Sequence, residues 1–547
     1  MSVLSRWVQE AKVGSPVWIN DVREASLASP DCQKVIFRLT LCDGTQKDYC
    51  HAFPLWETAE ERRFVQEYFC ACVFNTLAAL GGQELRFFYD RSCEAIADLI
   101  QDVRMLFSPL SMSGHGYSKA VRVANRLCAA AGTAPFHFAE ADLDFWSPLP
   151  GQVDTAAGDL GQLLRRTAEK ADVAVCCGID VGGTDIKLAI ADHGRLAAVR
   201  ELDWNPAVCS TADGLIQPIL RMVRTAMVDS GVAAFDAIGL SFPDIVIGNR
   251  ILGGETPKTK GMRENPALDY EAEFRKLGDL RKALLNLCRP DGRVELTNDG
   301  NMAAFCAAVE LAHGPEADAI GKGVLAHSLG TDLGTGWLRA DGAIPPLPLE
   351  MYDFLLDLGS WPQRDLPPED LRSVRNENSG LPGARRYLGQ AAAFRLAYEG
   401  APKLLEGFYE RSPSGNLLIK TAPQDLRKPC LEHLMMLAQE GCTDAEEVFR
   451  QIGRHLAQVN REMRFLLSPE TDSRFLFGRF VRHPRCFALL QEGCREITPS
   501  LRLLAADGEL ARSALMRQLA QMGDGAVARC GQAVGAIYFG QYGEDAP

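Results

Sequence analysis

Long apolar runs are missing from this chain. No stretch of its 547 residues approaches the length of a membrane span, so it offers no candidate transmembrane helix. Basic charge is also short: 58 lysines and arginines face 71 aspartates and glutamates. The formal net charge of -13 argues against broad adhesion to nucleic acid or to an anionic membrane. The first residues, Met1 to Trp7, lack the basic-then-apolar pattern of a signal peptide, and the expected location is the cytoplasm. Paired cysteine motifs are absent too. The 17 cysteines are scattered, mostly inside apolar stretches as with Cys176, Cys177, Cys288 and Cys306, which points to buried reduced thiols. Cys70 and Cys72 are too close for a usual disulfide and have no second pair with which to hold a metal. What the chain does have is 47% hydrophobic content, enough for several cores and, by length, about three domains.

The run CGIDVGGTDIK, Cys177 to Lys187, sets an acidic residue and a bare-backbone turn between two apolar segments. Residues 173–179 read as a buried strand and 186–191 as its antiparallel partner. Gly182 and Gly183 then fall at a hairpin tip, where backbone amides can approach an anion. Thr184 adds a hydroxyl donor and Lys187 lies further along. Asp180 ends the first strand facing the same space, suited to holding a hydrated Mg2+ beside phosphate oxygens. The same residues also suit a plain tight hairpin with a solvated aspartate at the strand end.

The order of elements that follows favours the phosphate loop. Residues 195–202 make a third strand, and 211–230 a helix with Leu215, Ile219, Met222, Val223 and Met227 on one face and Gly231 as its stop. A fourth strand spans 235–242, a helix 269–287, a short fifth strand 293–297 and another helix 301–312. Three meandering strands, then alternating helix and strand, is the order of one ribonuclease-H-like lobe. The order then restarts: strands at 323–329 and 336–339 flank a second glycine-rich turn, Gly330 to Gly336. The expected fold is therefore α/β, a duplicated ribonuclease-H-like two-lobe architecture of the actin/hexokinase type.

From about Val173 to the C-terminus the chain resembles the ROK family of sugar kinases and sugar-responsive repressors. Four segments carry the resemblance: Asp180 to Lys187; Asn298-Asp299-Gly300-Asn301; the loop opening at Gly330-Thr331; and a long helix over 444–467 followed by Phe475-Leu476-Phe477-Gly478 and a late glycine-rich run, 523–535. The resemblance implies ATP-dependent phosphorylation of a sugar hydroxyl, with Asp299 as catalytic base and Asn298 on the sugar. Mg-ATP would lie on Gly182, Gly183, Thr184, Lys187, Gly330, Thr331, Gly334 and Gly478, with Asp180 holding Mg2+ through water. It also implies a homodimer. The chemistry agrees: a sugar hydroxyl is a poor nucleophile near neutral pH, and a carboxylate that accepts its proton contributes roughly 10²- to 10⁴-fold. The other reading of the same segment is a strand-to-helix turn with Asp299 or Asn301 as N-cap.

Departures from the family are specific. Where it carries E-x-G-H followed by a zinc-binding cysteine cluster, this chain has Glu350-Met351-Tyr352-Asp353, and residues 376–389 contain no cysteine, so no zinc is expected. Glu350 keeps the place of the sugar-binding glutamate. Pro257-Lys258 stands where an asparagine follows proline, and a lysine there suits a carboxylate or phosphate on the substrate, or simply solvent. Asp185 and Asp332 put carboxylates in both phosphate loops, where they repel phosphate unless a metal or Lys187 compensates. These departures keep open a second function, a ROK-like regulatory protein that senses a sugar without phosphorylating it.

Residues 1–170 fall outside the resemblance and are expected to form a separate α+β domain of unknown role, before a first kinase lobe at 171–297 and a second at 298–547 whose last helix returns to the first. A β-hairpin at 34–41 and 46–51 and helices at 59–80, with Thr58 and Glu61 as a capping box, 93–106 and 119–131 make up this part. No basic recognition helix is evident, which argues against DNA binding. The loop from Gly114 to Ser118 reads as a surface connection, and residues 151–161, rich in glycine and alanine, as the linker.

Overall fold

The computed structural model describes residues 2–108, 116–150, 159–315, 317–329, 333–377, 379–505 and 510–543. The expected loop at Gly114 and His115, most of the linker, and Gly330, Thr331 and Asp332 of the second glycine-rich turn lie outside the described residues. No helix among those described is long and apolar enough to cross a membrane.

The N-terminal part runs helix Val3–Lys12 (α1), helix Ile19–Ala28 (α2), hairpin Cys32–Thr40 (β1) and Gln46–Pro54 (β2), helix Ala59–Leu80 (α3), strand Glu84–Tyr89 (β3), helices Glu94–Leu106 (α4) and Ser118–Ala131 (α5), and strand His137–Asp142 (β4). Its sheet has the order β2-β1-β3-β4. The capping box forms: the Thr58 hydroxyl accepts from the Glu61 amide at 3.2 Å, and the Glu61 carboxylate accepts from the Thr58 amide at 3.3 Å.

After helix Leu160–Asp172 (α6), strands Val175–Val181 (β5), Asp185–Asp192 (β6) and Arg195–Asp203 (β7) meander. Helix Ala212–Ser230 (α7) starts at the Thr211 cap and stops at Gly231 in the left-handed region, and leads to strand Phe235–Phe242 (β8). Strand Cys288–Asn298 (β9) completes the sheet β9-β8-β5-β6-β7, in which β5, β8 and β9 are parallel. The single helix expected over 269–287 is broken into Tyr270–Arg275, a 3-10 turn Lys276–Gly278 and Asp279–Leu285; a glycine in the interior gives up the backbone stability a continuous helix needs.

The second lobe repeats the pattern incompletely. Helix Asp299–Ala312 (α8) precedes antiparallel strands Val324–Leu329 (β10) and Leu333–Leu338 (β11); after helix Thr443–Leu467 (α9) come parallel strands Ser473–Phe477 (β12) and Arg502–Ala505 (β13). The order β11-β10-β12-β13 matches the first sheet without its third meandering strand. The final helix, Ala526–Tyr542 (α11 when α10 is Pro484–Ile497), returns to the first lobe and lies on β5 and β8. Two strand glycines permit that approach: a Cβ on Gly178 or Gly239 would meet the carbonyl oxygens of Ala533 or Ala536 at 1.9 and 1.8 Å.

The N-terminal part was expected to stand apart, but its buried side chains join one continuous core with residues of the second lobe, from Leu325 to Leu503. Polar groups lock the junction. Arg23 on α2 and Glu462 on α9 form a buried ion pair at 2.7 Å, and Asn75 on α3 donates to the same carboxylate at 2.9 Å. The Tyr49 hydroxyl reaches the Leu466 carbonyl at 2.8 Å, and Asp357 accepts from the Val17 amide at 2.8 Å and the Tyr387 hydroxyl at 2.6 Å. Nothing in the hydrophobic periodicity of the first 150 residues distinguishes a face buried in its own core from one buried against a distant partner.

Removing one member of a buried pair leaves an uncompensated charge, at a cost of about 3–5 kcal/mol. Glu462→Ala is therefore expected to destabilise the whole chain by that amount in urea unfolding, and Arg23→Met with Glu462→Leu to recover most of it. Unfolding of Glu462→Ala at the wild-type midpoint would refute the assignment of this pair as the junction's lock.

Candidate active site

Three parallel strands end side by side. In register, Asp180 of β5 lies beside Ser241 of β8, and Phe242 beside Asn298 of β9, so Asp180, Ser241 and Asn298 share the carboxyl edge of one sheet. That edge is where α/β sheets of this kind bind ligands. The helix that starts there is capped by Asn298, whose Oδ1 accepts from the Gly300 and Asn301 amides at 2.8 and 3.1 Å. The alternative that Asp299 or Asn301 is the cap is thus corrected: the cap is Asn298, because its backbone is the last extended one. Its Nδ2 donates to the Asp244 carbonyl at 3.2 Å and to Asp299 Oδ1 at 2.9 Å, and that oxygen also accepts from the Gly300 amide. Asp299 is held by these donors at the first position of α8, where the helix N-terminus favours a carboxylate.

The second glycine-rich hairpin is pressed against this helix start. A Cβ on Gly300 would lie 2.2 Å from the Thr335 carbonyl oxygen, and one on Gly336 would lie 1.9 Å from that of Gly300. Asn301 Oδ1 accepts from the Trp337 amide at 3.0 Å. Gly334 therefore faces the same cavity as Asp299. Gly478, at φ +108°, follows β12 and abuts Leu329 at the end of β10.

The first hairpin neutralises itself. The Lys187 ammonium is bound to Asp185 Oδ1, the Thr184 hydroxyl donates to Asp185 Oδ2 at 3.1 Å, and the Gly182 amide bonds to the Asp185 carbonyl at 2.8 Å. Lys187 thus compensates the carboxylate whose repulsion of phosphate was the concern. Asp180 is buried beside it, its pKa pushed up to about 6 by burial, with Lys187 opposing and the charges of Asp299 and Asp185 adding. Asp180 and Lys187 line a cavity of ~220 Å³ with Cys306, Gly478 and Gln532, which adjoins one of ~690 Å³ bordered by Asp185, Glu201, Phe480 and Arg529.

Asp299, Asn298, Glu350 and Lys258 come together around a smaller cavity of ~60 Å³, with Asp244, Tyr352 and Leu349. Small-molecule sites usually offer several hundred Å³, so a sugar enters only as lining side chains or the lobes move. One wall rests on the N-terminal part. The Leu349 and Glu350 amides donate to the Ala79 and Ala78 carbonyls at the end of α3, at 3.1 and 3.0 Å. Lys119 on α5 is buried in an ion pair with Asp353 and donates to the Tyr352 hydroxyl at 3.1 Å; Asn376 donates to Asp353 at 3.1 Å. Burial lowers the Lys119 pKa, but Asp353 and Glu350 outweigh it and the net shift is upward. From the same helix, Arg122 and Arg126 reach Glu255 of the first lobe at 3.0 and 3.1 Å. Asp353 and Asn376 come from the two segments where the resembled family holds its zinc; among the described residues no cluster of three or more His, Cys, Asp or Glu is arranged to hold a metal.

Sequence reading missed Lys119 and Asp244. Asp244 follows Pro243 directly after the fourth strand, a position at the sheet's carboxyl edge that its register alone marks as site-facing. Lys119 carries no such mark, because its partner Asp353 lies 234 positions away. All 17 cysteines are free; ten are buried, and seven, including Cys288, are only half-buried.

No family model matches this chain, and no curated protein matches it in sequence. Solved ROK structures are similar to it. A ROK family glucokinase from Streptomyces griseus in complex with glucose and AMPPNP shares 18% identity over 67% of this chain and 99% of that one, with a TM-score of 0.41. A ROK hexokinase from Thermus thermophilus shares 17% over 68% and 99%, TM-score 0.41. A ROK family transcriptional regulator, homolog of the E. coli MLC protein, shares 13% over 70% and 90%, TM-score 0.41. At these identities and scores they are likenesses only.

Burial pushes the Glu350 carboxyl from 4.5 up to about 8; Lys119 opposes the rise and Asp353 adds to it. Between those values the folded chain keeps a proton that the unfolded chain has released, so this group's contribution to stability is present at low pH and lost as pH rises towards 8. Glu350→Gln, uncharged throughout, is expected to gain stability relative to wild type on the order of 1.4 kcal/mol per pH unit within that window. Thermal unfolding of both proteins from acid to mildly alkaline pH checks this, and a pH-independent difference refutes it.

Proposed function

We propose that this protein is an ATP-dependent kinase acting on a hydroxyl of a sugar or sugar derivative. The observation that carries the reading is the convergence on one cavity of Asp299, fixed at a helix start by Asn298 and Gly300, with the second glycine hairpin beside it and Asp180 close enough for the two charges to interact. Asp299 accepts the acceptor hydroxyl's proton as that oxygen forms its bond to the γ-phosphorus; the bond from phosphorus to the β,γ-bridging oxygen breaks and ADP leaves. The acceptor lies against Asn298, Glu350 and Lys258, and the nucleotide along Gly182, Gly183, Thr184 and Lys187 on one side and Gly334 and Gly478 on the other; Gly330 and Thr331, outside the described residues, complete the proposed nucleotide-binding set.

Magnesium suits Asp180, since that ion usually takes one or two carboxylates plus phosphate oxygens and keeps several waters. When bound it supplies charge neutralisation at the phosphates. The ~220 Å³ cavity beside Asp180 leaves room for those waters.

A sensing function without transfer is the second reading, favoured by two observations: the acceptor cavity is only ~60 Å³, and the first hairpin's hydroxyl and ammonium are engaged with Asp185. A coupled ADP-release assay across hexoses, hexosamines and sugar acids separates the two. Turnover that falls about 10²- to 10⁴-fold in Asp299→Asn supports the kinase; thermal stabilisation by a sugar with no ADP release supports the sensor.

A further inference from the structure

Phosphoryl transfer is governed by positioning and by cationic charge at the moving group. In the nucleotide cleft the half-buried cation, Lys187, is already engaged, and Arg529 and Lys428 lie largely in solvent beside carboxylates. Lys187 is bound to Asp185, Arg529 lies 4.0 Å from Glu201, and Lys428 lies 3.9 Å from Glu432. Lys258 differs: its ammonium forms no hydrogen bond or ion pair with any described residue.

Its placement is specific. Lys258 lies in the 3-10 turn Pro257–Thr259 of the first lobe. That turn is fixed from below. Thr259 Oγ1 donates to the Gly254 and Thr256 carbonyls at 3.2 and 3.1 Å, and Arg263 donates to the same two carbonyls at 3.0 and 3.1 Å. From this base the side chain lines the cavity of Asp299 and Asn298, and its charge acts on Asp244. It also reaches the tip of the first hairpin, where a methyl group built on Gly183 would lie 3.4 Å from Lys258 Cε. One side chain therefore touches both the hairpin that would hold the terminal phosphate and the cavity that would hold the acceptor.

We infer that Lys258, from its place in the acceptor cavity, binds the phosphoryl group in transit between nucleotide and acceptor rather than a charged group of the acceptor. This rests on the kinase reading above and deepens it. As the acceptor oxygen bonds to phosphorus and the bridging oxygen leaves with ADP, negative charge spreads over the three non-bridging oxygens. An ammonium on a rigid base beside Gly183 meets that charge without reorganising. Neither hydrogen-bonding partner nor carboxylate has to release it first.

The test uses the full chain, MgATP and the hexose that wild type turns over fastest. Lys258→Met is expected to lower kcat about 10²-fold while the acceptor KM stays within about threefold, and Lys258→Arg to recover at least about tenfold of that loss. Calorimetric titration with Mg-AMPPNP and with Mg-ADP gives a second reading: Lys258→Met is expected to weaken AMPPNP about tenfold and leave ADP unchanged. An unchanged kcat with a raised KM for a sugar acid would overturn the inference and make Lys258 a reader of the acceptor's carboxylate. Equal weakening of AMPPNP and ADP would also overturn it. Absence of turnover in wild type would defeat the kinase reading, and the two nucleotide titrations would then decide the role of Lys258 alone.

Discussion

A lysine buried away from water stays charged only where a carboxylate meets it, and the meeting of Lys119 with Asp353 organises much of this molecule. Their side chains are 5% and 2% exposed, and each lies on a different part of the chain. Desolvating both costs several kcal/mol per ion, which only close approach and further hydrogen bonds offset. Asn376 and Tyr352 supply those bonds. The pair thereby fixes the segment from Leu349 to Asp353, and with it Glu350 at the cavity, against helices α3 and α5. A region that looks like an appendage in the sequence is a wall of the candidate site.

What could be read from the sequence follows from range. The strands β5 to β8, the helix from the Thr211 cap to Gly231, the Thr58 capping box and the first glycine hairpin rest on periodicity and turn chemistry within about twenty residues, and they stand in the structure close to where the pattern put them; of the second glycine-rich turn, residues 333–336 belong instead to strand β11, paired with β10. The segment over 269–287 shows where pattern alone misleads, since its apolar spacing continues through a glycine that breaks the helix. Asn298 was legible as a polar residue at a strand end, but its capping role depends on which residue has the last extended backbone, which one-dimensional pattern does not fix. The shared core of the N-terminal part and second lobe, the Arg23 and Glu462 pair and the Lys119 and Asp353 pair all join residues hundreds of positions apart, and no local signal announces them.

The charge arrangement around the first hairpin shows why single residues are a poor guide to phosphate binding. Asp185 looks hostile to a nucleotide until Lys187 and Thr184 are seen to close on it, and Lys187 and Thr184 look available until Asp185 is seen to hold them. With the Gly182 amide engaged by the Asp185 carbonyl, the Gly183 backbone remains the hairpin's own means of meeting an anion. Burial keeps the Asp180 pKa raised at the edge of the cavity, the condition in which a carboxylate gains most from an arriving cation.

Helix α5 ties the N-terminal part to both lobes: Lys119 to the second, Arg122 and Arg126 to the first. The lobes are also tied behind the cleft, through the buried core that α6, α8 and α11 share with β5, β6 and β8. Helix α5 is thus a second strap, on the acceptor side, and makes the N-terminal part a brace between the lobes.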